Sequence, residues 1–224
     1  MGQTLRLTAS DGFQLGAYRA DPTAAPRGAL VVIQEIFGVN SHIRAMCDRF
    51  AADGYVAIAP AIFDRIEPDF QSGYSPEEVA VARKFVANPD FDAFLRDTQA
   101  AIDAVRPVGP VGVVGYCLGG SIAFLAATRL NGLKAAVGYY GGAIAHFADE
   151  APKVPVQLHF GEKDAGIPLD NVATVRAKRP EIEIHIYPDA QHGFACDERS
   201  SFDKPSSDLA GQRSLAFFEK HLRT

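Results

Sequence analysis

The chain of 224 residues has no tryptophan, two methionines and three cysteines, and it lacks a basic excess: 22 Lys and Arg stand against 27 Asp and Glu, for a net charge of −5. Each shortage excludes something. A net negative chain is a poor general binder of nucleic acid or of an anionic membrane, since both want a basic patch. No apolar run approaches the roughly 20 residues that a spanning helix needs. The segment Met1 to Arg6 has neither the basic start nor the apolar stretch of a secretory signal, and Arg6 stands where a myristoylation signal wants Ser or Thr. A cytoplasmic protein is expected. Cys47, Cys117 and Cys196 are odd in number and far apart, so they form no disulfide framework. No Cys-x-x-Cys or His-x-x-x-His pair points to zinc, and no metal is expected.

What remains is ordinary globular composition, 47% hydrophobic and 22% charged, which excludes a disordered chain, a coiled coil or a collagen-like repeat. A core of this size needs no covalent staple. Leu5 to Thr8 and Phe13 to Leu15 alternate around Asp11-Gly12 and read as a hairpin. Continuous apolar runs at Gly28–Ile33, Tyr55–Pro60, Val111–Val114, Ala135–Tyr139 and Val156–Phe160 read as strands buried on both faces, and Glu183–Tyr187 as a further strand. Helices are expected from a Ser41 cap to about Asp53, from the Ser75-Pro76-Glu77-Glu78 capping box, over Asp90–Val105, Leu118–Leu130 and Leu169–Lys178, and from about Ser206 to Leu222. Strands alternating with helices predict an α/β fold with a mostly parallel sheet flanked by helices on both faces. Nothing marks a boundary, so residues 1–224 are read as one domain.

The sharpest local feature is Gly115-Tyr116-Cys117-Leu118-Gly119, between the strand ending at Val114 and the next helix. It fits the Gly-x-nucleophile-x-Gly turn with a thiol as nucleophile. The glycines would let strand and helix approach, the side chain would project from the sheet's carboxyl edge, and the helix N-terminus would favour both a thiolate and a developing oxyanion. Alone, the pentapeptide equally suits a small thiol packed in a tight joint. Gly109, Gly112 and Gly115 do not have dinucleotide-binding spacing, and no P-loop is present.

Two more residues follow their own strands. Asp164 lies in the loop after Val156–Phe160, and His192 in the loop after Glu183–Tyr187. Singly, Asp164 reads as a turn residue or helix cap and His192 as a surface imidazole. Together with Cys117 they follow the chain order nucleophile, acid, histidine of the α/β hydrolases, and in a parallel sheet all three loops open on one edge. The other five histidines lie in strands or helices with no acid placed beside them.

With these residues in hand, the sequence resembles the dienelactone hydrolase (carboxymethylenebutenolidase-like) family, the thiol branch of the α/β hydrolases. The resemblance rests on Gln34-Glu35-Ile36-Phe37-Gly38-Val39-Asn40, Gly115 to Gly120, Gly138-Tyr139-Tyr140-Gly141, Asp164 and His192-Gly193-Phe194-Ala195. It implies an α/β-hydrolase fold, Cys117 as nucleophile, His192 as base and acid, and Asp164 orienting His192. It also implies an oxyanion hole from the Leu118 and Ile36 N–H groups, and Glu35 contacting the resting thiol. Small esters or lactones would be hydrolysed through a thioester with no cofactor. Family members clamp a substrate carboxylate with two arginines, one of them four residues after the catalytic histidine; Cys196 stands there, leaving Arg199 and Arg83 as candidates. Tyr139 and Phe37 are candidates for the pocket wall. A small-molecule substrate and a monomer are expected, with no nucleic-acid or membrane partner. The competing reading is a non-catalytic sensor of a ligand or oxidant using Cys117.

Overall fold

Alternating side chains build the outer hairpin. In the computed structural model, which describes residues 2–223, β1 (Gln3–Thr8) and β2 (Gln14–Ala20) pair antiparallel across the Asp11-Gly12 turn. The next strands are apolar throughout because both their faces are covered: β3 (Ala29–Ile33), β4 (Val56–Pro60) and β5 (Val111–Tyr116) are buried at every residue. With β6 (Leu133–Tyr139), β7 (Val156–Gly161) and β8 (Glu183–Tyr187) they form one sheet in the order β1-β2-β4-β3-β5-β6-β7-β8. Every pairing from β4 to β8 is parallel, and β2 runs against its neighbours.

Among the described residues five α-helices lie between these strands, α1 (Ser41–Ala52), α2 (Pro76–Phe85), α3 (Phe91–Val105), α4 (Leu118–Arg129) and α5 (Leu169–Lys178), and α6 (Lys204–His221) follows the last one. Their starts follow capping chemistry. Ser75 and Glu78 form the expected capping box, and Asp90 accepts from the Ala93 N–H. The cap of α1 is Asn40 rather than Ser41: Asn40 has extended backbone and accepts from Ile43, while the Ser41 hydroxyl donates to Glu198. The last helix starts at Lys204, because Asp203 caps it by accepting from the Ser206 N–H.

Strand parity sorts the helices to the two faces. A Cβ on Gly112 would strike Phe218 of α6, and one on Gly115 would strike the α4 backbone. Positions three apart on a strand face opposite ways, so α6 and α4 cover opposite faces of β5. The carboxyl ends of β3, β5, β7 and β8 therefore meet at one edge. Among the described residues no helix is long and apolar enough to cross a membrane.

Candidate active site

Cys117 is the hinge between β5 and α4. Its backbone is held at φ +55° and ψ −114°, a left-handed conformation that costs a non-glycine residue about 1–3 kcal/mol. The glycines on either side make the turn possible. A Cβ on Gly115 would stand 1.8 Å from the Gly119 carbonyl oxygen, and one on Gly119 would stand 2.4 Å from that of Ile33. The Gly119 N–H donates to the Gln34 carbonyl at 3.1 Å, so the exit of β3 lies against the first turn of α4. Among the described residues no acceptor takes the Leu118 or Ile36 N–H groups that flank this junction.

Backbone bonds also bring the loops after β7 and β8 together. The Lys163 N–H donates to the Ala190 carbonyl at 2.9 Å, and the absence of a Cβ on Gly161 leaves room for that carbonyl. This sets Asp164 beside His192. His192 Nδ1 is 2.8 Å from Asp164 Oδ2, and His192 Nε2 is 3.2 Å from Cys117 Sγ. The second carboxylate oxygen of Asp164 accepts the Gly166 N–H at 2.8 Å, and the whole side chain is shielded from solvent. Burial pushes the His192 imidazole down, but the adjacent Cys117 charge and the Asp164 hydrogen bond outweigh it, and the net result is a rise to about 10. The arrangement can hold an imidazolium beside a thiolate, the reactive form of a cysteine nucleophile.

Geometry of this kind invites comparison with known proteins. A profile of the dienelactone hydrolase family matches residues 15–222. The chain belongs to the dienelactone hydrolase family. It is 34% identical over 220 residues to a carboxymethylenebutenolidase of Pseudomonas putida, with 92% of each protein covered. It is 35% identical to a Synechocystis protein provisionally named carboxymethylenebutenolidase, covering 98% of this chain and 97% of that one. The crystal structure of a Klebsiella pneumoniae protein, provisionally a dienelactone hydrolase, superposes with a TM-score of 0.86 at 31% identity, covering 98% of this chain and 99% of the other. The protein is thus a hydrolase with the α/β-hydrolase fold.

Among the described residues the Glu35 carboxylate makes no hydrogen bond to the Cys117 thiol. It is buried, accepting from Arg199 at 3.2 Å and from the Tyr74 hydroxyl at 3.3 Å, while Asn40 donates to Tyr74. Among the described residues the hydrogen-bond partner of Cys117 Sγ is His192. The guanidinium of Arg199 outcompetes the thiol for Glu35 because it supplies a positive charge as well as a donor. Burial and the Glu35 charge push the nearby Cys196 thiol up to about 12.

Arg199, Tyr74 and Val79 line a cleft of about 290 Å³ that reaches Asp164 and His192. Phe37 backs this wall, packed edge-on to Tyr74 at 4.6 Å and under the Arg199 guanidinium at 5.8 Å. Tyr139 and Arg83 do not join it. Parity explains Tyr139: Gly138 faces Gly120 of α4, so the next side chain points to the other face. There the Tyr139 hydroxyl bonds Ser214 of α6, and its ring stacks on His159. Arg83 lies exposed on α2, away from the cleft lining. The aromatic residue beside the His192 imidazole is Tyr140, one position past the strand, at φ +37° with its ring 5.0 Å from His192. Tyr140 belongs to the Gly138-Tyr139-Tyr140-Gly141 motif, whereas Tyr74 sits in the loop before α2, outside every motif.

Proposed function

We propose that the protein hydrolyses small carboxylic esters or lactones by acyl transfer through Cys117, with His192 and Asp164 completing a triad. The observation that carries this reading is the unbroken run from Asp164 through His192 to Cys117, at 2.8 and 3.2 Å, on a strained strand-to-helix turn. The thiolate attacks the substrate carbonyl. The Leu118 and Ile36 amides hold the oxyanion, and collapse to a thioester expels the alcohol, which takes a proton from His192. Thioester formation removes the Cys117 charge that holds the imidazole up. Burial then lowers His192 toward neutrality, and the same ring becomes the base that activates water. Glu35, parked on Arg199, is out of the thiolate's way. A single apolar cluster spanning both faces of the sheet supports one domain over residues 1–224, and a nucleophilic thiol suits the reducing cytoplasm.

The role exchange of His192 has a direct signature. In the resting protein, an NMR titration of the imidazole should place its midpoint near 10. In Cys117→Ala it should fall by about two pH units or more, because the charge that raised it is gone. An unchanged midpoint in the variant would mean that the thiol does not control the base.

Arg199 is the candidate for recognising an anionic substrate group, since it is the guanidinium that lines the cleft. A panel of neutral esters and acidic lactones, including cis- and trans-dienelactone, tests this. Arg199→Ala should lower kcat/KM for the acidic substrates about tenfold more than for the neutral ones. Equal losses on both would leave Arg199 with only its contact to Glu35.

A further inference from the structure

Three side chains from distant parts of the chain converge beside Arg199. A carboxylate oxygen of Glu35, a ring nitrogen of His42 and the Sγ of Cys196 all lie within 4.8 Å of one another, and all three residues are buried. Glu35 leaves β3, His42 lies in the first turn of α1, and Cys196 follows the His192 loop. His42 is 1% exposed, yet neither ring nitrogen has a hydrogen-bond partner. An imidazole sealed in this way carries a desolvation cost that no hydrogen bond offsets. The other unpartnered buried side-chain atoms among the described residues are Gln34 Oε1 and the Tyr140 hydroxyl. Gln34 adjoins Glu35 in the chain, and the Tyr140 hydroxyl is raised by burial and by the charges of Glu35 and Cys196.

We infer that Glu35, His42 and Cys196 form a binding site for one thiophilic divalent cation, with zinc as the fitting chemical type. A sulfur, nitrogen and oxygen donor set is zinc's and not that of calcium or magnesium, which take oxygen. Zinc bonds of about 2.0–2.3 Å in a tetrahedron need donors about 3.3–3.8 Å apart, a contraction within reach of side-chain torsions. Binding forms one bond from each donor and a fourth to a water molecule that enters with the ion, and the Cys196 thiol proton leaves to solvent. The carboxylate and thiolate then balance the two positive charges of the ion. Asp197 Oδ1 stands 3.4 Å from His42 Nδ1, placed to orient the ring and leave Nε2 to ligate, and Arg49 holds Asp197 in turn at 2.8 Å. Arg199 gives up one Glu35 oxygen in this state but keeps its seat over the Phe37 and Tyr74 rings. The inference concerns binding and stands whether or not Cys117 is the nucleophile.

The test uses the Cys117→Ala protein, so that the cleft thiol cannot ligate, titrated anaerobically with Co²⁺ as a spectroscopic stand-in for zinc. One equivalent should produce a thiolate-to-cobalt charge-transfer band in the near ultraviolet and the strong visible absorption of four-coordinate cobalt, both bleached by Zn²⁺. Adding Cys196→Ser should remove the charge-transfer band. Adding His42→Gln should weaken binding more than tenfold, and Asp197→Asn about tenfold. A weak six-coordinate spectrum, or a band that survives Cys196→Ser, would overturn the inference. If the Cys196 variant does not fold, undiminished affinity in His42→Gln would overturn it equally.

Discussion

Replacing Cys117 by alanine is expected to lower kcat/KM for p-nitrophenyl acetate by about ten-thousandfold or more, with the fold intact. The expectation follows from what the thiol does in the proposed reaction. It forms the covalent bond, and no neighbouring group can take over: Asp164 is engaged by His192 and the Gly166 amide, and Glu35 by Arg199 and Tyr74. Residual activity would come from the two free amides and from binding alone. Stability should change little, since Cys117 is partly exposed and alanine takes the same backbone strain as cysteine. Turnover of the alanine protein near the wild-type rate would remove acyl transfer through this residue. A wild-type protein that is modified once per chain and then stops would favour the sensor reading.

Gly115→Ala carries the largest expected cost in stability. The added methyl carbon would stand 1.8 Å from the Gly119 carbonyl oxygen and 2.2 Å from its carbon, and both are backbone atoms that cannot swing aside. Relief requires β5 and α4 to separate in the middle of the sheet. A loss of at least about 3 kcal/mol is expected in urea unfolding, or failure to fold, as for severe overpacking of a core. Gly211→Ala is the control. That position lies within α6 with nothing inside 4 Å of the added carbon, and its substitution should stabilise by about 0.5–1 kcal/mol. Similar effects at both positions would mean that the close approach of strand and helix is not what these residues permit.

The contrast between those glycines shows what was legible in the sequence. Gly115 and Gly119 are readable because a nucleophile on a tight turn leaves a fixed local spacing. The buried strands are readable because coverage on both faces demands continuous apolar runs, and Cys117, Asp164 and His192 because each follows a strand that the sequence marks. Strand order and side-chain parity are global. Whether Tyr139 faces the cleft side or the opposite face depends on one residue of register in β6, and the sheet aims that ring at Ser214. The partner of Glu35 is likewise a matter of tertiary approach: Arg199 and Tyr74 lie 164 and 39 positions away. The cluster of Glu35, His42 and Cys196 has no local ligand spacing at all, so a search for paired cysteines and histidines passes over it. Helix starts shift by a residue or two wherever adjacent polar groups compete as caps, as Asn40 does with Ser41.

The central claim is that substrate passes through a bond to the Cys117 sulfur. Intact-mass and peptide analysis of the wild-type protein, acid-quenched during steady turnover of p-nitrophenyl acetate, addresses it directly. The account predicts an acetyl group on Cys117 that builds to a steady level and disappears as the ester is consumed. Continued turnover with no acyl group on Cys117 at any quench time, or with the acyl group on another residue, would contradict it.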